Sequence, residues 1–179
     1  MNGIIRNLIV ITAAGLLLMA AACVSGNADH PSTPDIELQV MVTESPAVTA
    51  QDQSGTCVIK VNEWTVNFNN VPKNSLATTS PWNDVTIVGM TLSYDFPDVG
   101  ATLPTRYLPL GEAVTVPAAG SATLKFWPVY LQDLISTPEV LGSSGNMVIE
   151  FQALMNNGHR FDKAIGEVIA IEQCVSQGG

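Results

Sequence analysis

The sequence predicts an all-β domain built as a sandwich of about seven to nine short strands. Three observations predict this class. Apolar residues alternate with polar ones through most of the chain, and a period of two is typical of half-buried strands. Turn residues recur at intervals of about ten residues, as they do in sandwiches. Only residues 129–135 show helical spacing of apolar side chains, and that segment has room for two turns at most.

The first part of the body predicts two strand regions separated by a polar break. Residues 35–43 alternate strictly, and their apolar set is Ile36, Leu38, Val40 and Val42. The polar stretch 51–55 is expected to end this region. In residues 57–69 the apolar parity changes at Asn62–Glu63, which predicts a bulge or a change of sheet at that point.

Residues 84–96 are the longest strand candidate. The set expected on the buried face is Val88, Met90, Leu92, Tyr94 and Phe96. Val85 and Ile87 have the opposite parity, which indicates that the start of this strand is covered on both faces.

The remaining strand candidates are shorter. They are residues 106–110, 113–116, 122–126, 147–153 and 161–174. Asn157–Gly158 lies between the last two, and this dipeptide favours a tight hairpin because both residues tolerate a positive φ. The strands are therefore expected to follow one another largely as hairpins and meanders.

The N-terminus predicts an export signal. Arg6 is its only charged residue, and an apolar run over residues 8–19 is too short to cross about 30 Å of hydrocarbon as a helix. Small residues then lead into Cys23. This segment resembles the lipobox of bacterial lipoproteins, except that Ala20 stands where that motif usually has Leu.

The lipobox resemblance implies that Cys23 is lipid-modified and begins the mature chain. Residues 1–22 are then a cleaved signal peptide, 23–34 a lipidated cysteine with a flexible tether, and 35–179 the β-sandwich domain. Val24, rather than Asp, follows the cysteine, which implies delivery to the outer membrane if the host is diderm. Cleavage by the ordinary signal peptidase, giving a soluble secreted protein, is the alternative.

The number of cysteines fits the lipoprotein interpretation. The chain has three cysteines, and an odd thiol in an exported protein needs an explanation. With Cys23 acylated, Cys57 and Cys174 remain as a pair, and we predict that they form a disulfide. Two buried free thiols are the alternative.

The strand spacing resembles that of immunoglobulin and fibronectin type III domains. The resemblance is one of architecture, because immunoglobulin domains place a much closer pair of cysteines around a buried Trp. A small closed barrel is the alternative fold.

Composition and motifs predict no catalytic residues, cofactor or metal site. The net charge of -9 argues against binding to nucleic acid. The two histidines have no evident partner in the sequence, and zinc, haem, nucleotide and hydrolase motifs are absent. Asp95, Asp98 and the Asn83–Asp84 pair are oxygen donors that Ca²⁺ accepts, but without a regular spacing they are interpreted as solvated turn residues.

Aromatic residues near strand ends offer a candidate partner surface. The set is Trp82, Arg106, Tyr107, Trp127 and Tyr130. Exposed Trp, Tyr and Arg together are typical of binding hot spots, whereas burial against the second sheet is the structural alternative. The predicted function is therefore a non-enzymatic, membrane-anchored envelope lipoprotein that binds another envelope component, either a protein or a glycan, or supports an assembly. A lipid-anchored carbohydrate-binding module or hydrolase accessory is the alternative.

Overall fold

The computed structural model describes residues 36–53, 56–73 and 80–174, apart from the side chain of Asp52. All of them belong to the unit Asp35–Gly179. The predicted signal peptide, Cys23 and tether lie outside the described residues. No helix in the described ranges is long and apolar enough to cross a membrane.

The described part of the chain is an all-β fold with nine strands, as the sequence predicts. The strands are β1 (Ile36–Val42), β2 (Ala47–Gln53), β3 (Thr56–Val61), β4 (Trp64–Pro72), β5 (Val85–Asp95), β6 (Arg106–Val116), β7 (Ser121–Phe126), β8 (Ser144–Met155) and β9 (Arg160–Ile171). Helix α1 (Leu131–Ser136) occupies the segment with helical spacing, and the 3-10 turns Pro81–Asn83 and Pro138–Val140 complete the description.

The strands form two sheets that enclose one core. One sheet has the order β1-β4-β7 and the other β3-β2-β9-β8-β5-β6. The β2–β9 pair is parallel, and the other pairs are antiparallel. Phe68 on β4 and Phe151 on β8 join the layers, with a T-shaped contact of 4.9 Å between ring centroids. One of the sheets is curled into a half-barrel.

The parity change at Asn62–Glu63 is a change of sheet. β3 belongs to the six-stranded sheet and β4 to the three-stranded sheet. Beyond the switch, Trp64, Val66 and Phe68 are buried. The chain crosses between layers there because the two apolar sets must face the core from opposite sides.

The predicted break at residues 51–55 is wrong in part, because β2 runs through Gln53. β2 lacks an apolar rhythm: Val48 is its one residue in the buried core. Backbone pairing with β3 from Val48↔Val61 to Gln53↔Thr56 forms this strand, and hydrophobic periodicity does not report on backbone pairing.

The predicted buried face of β5 is wrong at Val88, which is 39% exposed. The pairing register of β5 shifts between Ile87 and Gly89 on both of its neighbours. Such an irregularity adds a residue and reverses the parity of the side chains. Val85 and Ile87 therefore face the same core as Met90, and the start of the strand is not covered on two faces.

The later strands differ from the prediction in their bounds and in one merger. Residues 106–110 and 113–116 belong to one strand, β6, which continues through Gly111. The predicted hairpin joins β8 to β9, with Gly158 at φ 86°. Gly158 N–H donates to the Met155 carbonyl at 2.8 Å, so the loop holds three residues, 156–158.

Candidate partner-binding cleft

The two ends of the domain are distinguished by strand register. At the end where β1 begins, Ile36 is opposite Pro72; we call this the entry end. At the other end, Trp64 is opposite Phe126; we call this the far end. The candidate site lies at the far end.

The far-end cleft is a depression of about 360 Å³. It is lined by Ile59, Lys60, Val61, Trp127, Val129, Tyr130 and Leu131. Three of these residues come from the last part of β3, just before the chain changes sheet, three from the connection between β7 and α1, and Leu131 from the start of α1. The cleft therefore depends on the sheet switch, which brings two segments that are distant in sequence to one place.

Contacts with the core fix the backbone of the β7–α1 connection. Tyr94 donates a hydrogen bond from its hydroxyl to the Pro128 carbonyl at 2.6 Å, and Val129 is 1% exposed. With Val129 anchored in the core, Trp127 remains 58% exposed, and Tyr130 and Leu131 are also exposed. A rigid backbone that presents exposed aromatic side chains loses little entropy when a partner binds.

Tyr130 is held by a cation–π contact with Arg106, which in turn forms an ion pair with Asp133. Arg106 donates to Asp133 on α1 through Nε at 3.1 Å and also through Nη2. Its guanidinium carbon lies 5.6 Å from the centroid of the Tyr130 ring, within the range of a cation–π contact. Asp133 is 3% exposed, so this arginine supplies the positive charge that a buried carboxylate requires.

The electrostatics of this network favour fixed protonation states. Hydrogen bonding to Asp133 raises the pKa of Arg106, and the guanidinium stays charged. Burial, and secondarily the negative charge of Asp133, raise the pKa of Tyr94 well above its ordinary value. Tyr94 therefore remains a neutral donor to Pro128, and the connection does not titrate near neutral pH.

The structure brings together three of the five predicted surface residues. Arg106, Trp127 and Tyr130 lie at the far end, with Trp127 and Tyr130 lining the cleft. Tyr107 is exposed on the outer face of the six-stranded sheet, where its hydroxyl lies 3.2 Å from Gln152 Oε1. Trp82 is 64% exposed at the entry end, in the 3-10 turn before β5.

Five lining residues were missed by the sequence analysis. They are Ile59, Lys60, Val61, Val129 and Leu131. Ile59 and Val61 looked like ordinary core residues of a strand, and Leu131 like the buried face of a helix. No signal in the sequence distinguishes them, because their position at the cleft depends on how β3 meets the segment from Trp127 to Leu131.

The predicted disulfide is present and lies outside the cleft lining. Cys57 on β3 is bonded to Cys174, with 5.8 Å between their Cα atoms. The bond ties the β2–β3 hairpin to the segment that follows β9. It therefore restrains the strand that forms one wall of the cleft.

Two titratable residues outside this network, His159 and Asp84, have structural contacts. His159, the histidine within the described ranges, stacks on Phe161 with 6.2 Å between ring centroids. Asp84 accepts a hydrogen bond from Ala118 N–H at 2.8 Å. Among the described residues, no group of three or more His, Cys, Asp or Glu side chains could hold a metal ion.

Comparison with known proteins identifies no family. No family model matches the chain, and no curated protein matches it. A solved structural genomics target is 12% identical, over 76% of this chain and 87% of its own, with a TM-score of 0.45. A structure described as an ApaA protein from Bordetella pertussis is 15% identical, over 79% of this chain and 98% of its own, with a TM-score of 0.46. A protein from Archaeoglobus fulgidus is 12% identical, over 74% of this chain and 92% of its own, with a TM-score of 0.32.

Proposed function

We propose that this protein is a non-enzymatic envelope lipoprotein, anchored through Cys23, whose domain binds another envelope protein at the far-end cleft. The observation that carries the binding proposal is the exposure of Trp127, at 58%, beside Tyr130 and Leu131 on a fixed backbone. Large aromatic side chains at the centre of an apolar depression are typical of binding hot spots.

The composition of the cleft indicates the chemistry of the partner. Its lining is apolar except for Lys60, the Tyr130 hydroxyl and the indole N–H of Trp127. An apolar segment with an acidic neighbour fits such a lining, because the lysine would lie opposite the acidic group. We therefore propose an apolar protein segment as the occupant.

The position of the cleft supports this role for an anchored domain. The first described strand begins at Ile36, at the entry end, whereas the cleft is at the far end. A tether attached before Ile36 starts from the end of the domain that lacks the cleft. The binding surface is then free of the attachment point.

We further propose that the domain is immunoglobulin-like. Variable-type immunoglobulin domains combine strands A, B and E in one sheet and strands G, F, C and C′ in the other. The orders β1-β4-β7 and β9-β8-β5-β6 support this assignment, with β2 and β3 as an added hairpin. The wide spacing of the cysteine pair is a departure from antibody domains.

The binding proposal is tested with two exposed tryptophans. Trp127→Ala removes the aromatic side chain of the cleft, and Trp82→Ala is the matched control at the entry end, where the side chain is 64% exposed. We expect cross-linking in native membranes to capture one stoichiometric protein with the wild type and Trp82→Ala, but not with Trp127→Ala. Equal capture by both variants would contradict the proposal, provided that both unfold at the wild-type temperature.

The same variants test the carbohydrate alternative. The exposure of Trp127 supports that alternative because sugars stack on exposed aromatic rings. Glycan binding that Trp127→Ala abolishes and Trp82→Ala preserves, without a protein partner, would replace the first proposal by that alternative.

The anchor is tested by intact mass of the protein isolated from its native membrane. We expect a chain that begins at Cys23 and carries acyl groups. An unlipidated chain recovered from the growth medium would instead show a soluble secreted protein.

A further inference from the structure

Strand β9 is paired along its whole length on one side only. Its ladder with β8 runs from Ser144↔Ala170 to Leu154↔Arg160. On the other side, β2 pairs with it only at Ala170 and Ile171. Among the described residues, no strand pairs with the other side of β9 between Arg160 and Ile169.

Hydrogen bonds at the two ends of β9 show which backbone groups face outward. Met155 N–H donates to the His159 carbonyl at 2.8 Å, on the β8 side. Ala170 N–H donates to the Pro46 carbonyl at 3.4 Å, on the opposite side. Since the direction alternates along an antiparallel strand, the even-numbered residues from 162 to 168 present their N–H and C=O groups away from β8. We call residues 162–168 the β9 edge.

The β9 edge is regular and open. Its register with β8 continues without a shift, whereas bulges are a common protection of sheet edges. Ala164 and Gly166 are exposed, and a Cβ added at Gly166 has no described heavy atom within 4 Å. A second strand can therefore approach this edge closely.

We propose that the β9 edge pairs antiparallel with the β9 edge of a second copy of this chain, with Ile165 on the twofold axis. This register places Lys163 opposite Glu167 of the partner copy, and symmetry produces that pair twice. Opposite charges directly across two strands stabilise the pairing. Neither side chain forms an ion pair within the described part of the chain.

The same register also allows backbone hydrogen bonds and side-chain contacts between the two copies. Ala164 is opposite Gly166 of the partner copy, with both backbones facing each other as a hydrogen-bonded pair, and Ile165 meets itself. The paired stretch ends at Val168, just before Ala170, whose N–H is already bonded to Pro46. A twofold axis at Lys163 would instead oppose two lysines, which is destabilising.

The proposal is tested first by exchanging the charges. Lys163→Glu and Glu167→Lys each place two pairs of like charges across the interface, whereas the double variant restores opposite charges with the sides exchanged. Sedimentation equilibrium of the full chain in density-matched detergent is expected to show a dimer for the wild type. We expect each single variant to weaken it about tenfold and the double variant to restore it.

Cysteine trapping provides a second test of the register. Opposed residues of a hydrogen-bonded pair lie about 5.5 Å apart at Cα, which suits a disulfide. We expect Ala164→Cys combined with Gly166→Cys to give a covalent dimer on non-reducing gels. Val148→Cys, an exposed position on β8, is the control that should not.

Three outcomes would overturn the proposal: a monomeric wild type at every concentration, a double charge variant as weak as the single ones, or equal trapping of the control. None of these outcomes bears on the far-end cleft, because the β9 edge shares no residue with it.

Discussion

Removing the disulfide is expected to cost this protein a large part of its stability. Cys57 and Cys174 are 117 positions apart, so the bond closes a loop that covers most of the domain. The chain-entropy model gives about 5 kcal/mol for a loop of this length. With an unfolding entropy of about 2.1 cal/mol/K per residue over Asp35–Gly179, the melting temperature should fall by about 16 °C.

The structure also predicts which part of the domain opens first when the disulfide is removed. The β2–β3 hairpin is joined to β9 by two ladder pairs and by a hydrogen bond from Ala50 N–H to Glu172 Oε2 at 3.0 Å. Without the disulfide, the hairpin is joined to β9 and the segment after it by these few contacts. Local opening of the hairpin should therefore precede global unfolding.

The variant that tests this is Cys57→Ala with Cys174→Ala. Urea denaturation measures the free energy of unfolding, and hydrogen exchange compares the amides of β3 with those of β8. We expect a loss of about 2 to 5 kcal/mol and a selective acceleration of exchange in β3. A loss below about 1 kcal/mol, or equal acceleration in both strands, would refute the reasoning.

Three further predictions concern the frame of the cleft and the core. Burial raises the pKa of Tyr94, so the folded protein holds the phenolic proton more tightly than the unfolded chain does. The resulting contribution to the free energy of unfolding is complete below the unfolded pKa of about 10 and is lost as pH rises, by up to about 1.4 kcal/mol per pH unit. Tyr94→Phe should remove this pH dependence from denaturation curves measured between about pH 9 and 12. Arg106→Met should lower the free energy of unfolding because Asp133 stays buried without its partner, and adding Asp133→Leu should recover part of that loss in a double-mutant cycle. Gly145→Ala should cost about 1 to 3 kcal/mol in urea denaturation, because a Cβ there would lie 2.5 Å from a ring carbon of Phe96 and 2.8 Å from the backbone oxygen of Asp95. An unchanged midpoint would contradict this prediction.

Strand identity could be predicted wherever one face of a strand meets the core. β1, β4, β7 and β8 have alternating sequences because the pleat sends successive side chains to opposite faces. β2 escaped prediction because hydrogen bonds to β3 hold it, with Val48 as its residue in the buried core. The irregularity in β5 escaped because a register shift after Ile87 imitates a strand buried on both faces.

For the candidate site, the sequence could predict which types of residue take part but not where they lie. Trp127 and Tyr130 could be named because aromatic residues near strand ends are candidates for exposure, but so were Trp82 and Tyr107, which lie elsewhere. Trp82 precedes β5 at the entry end and Tyr107 lies on β6, so their separation from the cleft depends on strand direction and on the sheet face that each side chain occupies.

The sequence by itself determined the all-β class and predicted the cysteine pair and a bulge or change of sheet at Asn62–Glu63, because each depends on local alternation or on residue type. Tertiary structure alone decided the rest. It joined β3 to the β7–α1 connection as a cleft, paired Arg106 with Asp133, and left one side of β9 between Arg160 and Ile169 without a partner strand among the described residues. These features arise where segments distant in the chain meet, and the energy of such contacts depends on positions that only the folded chain defines.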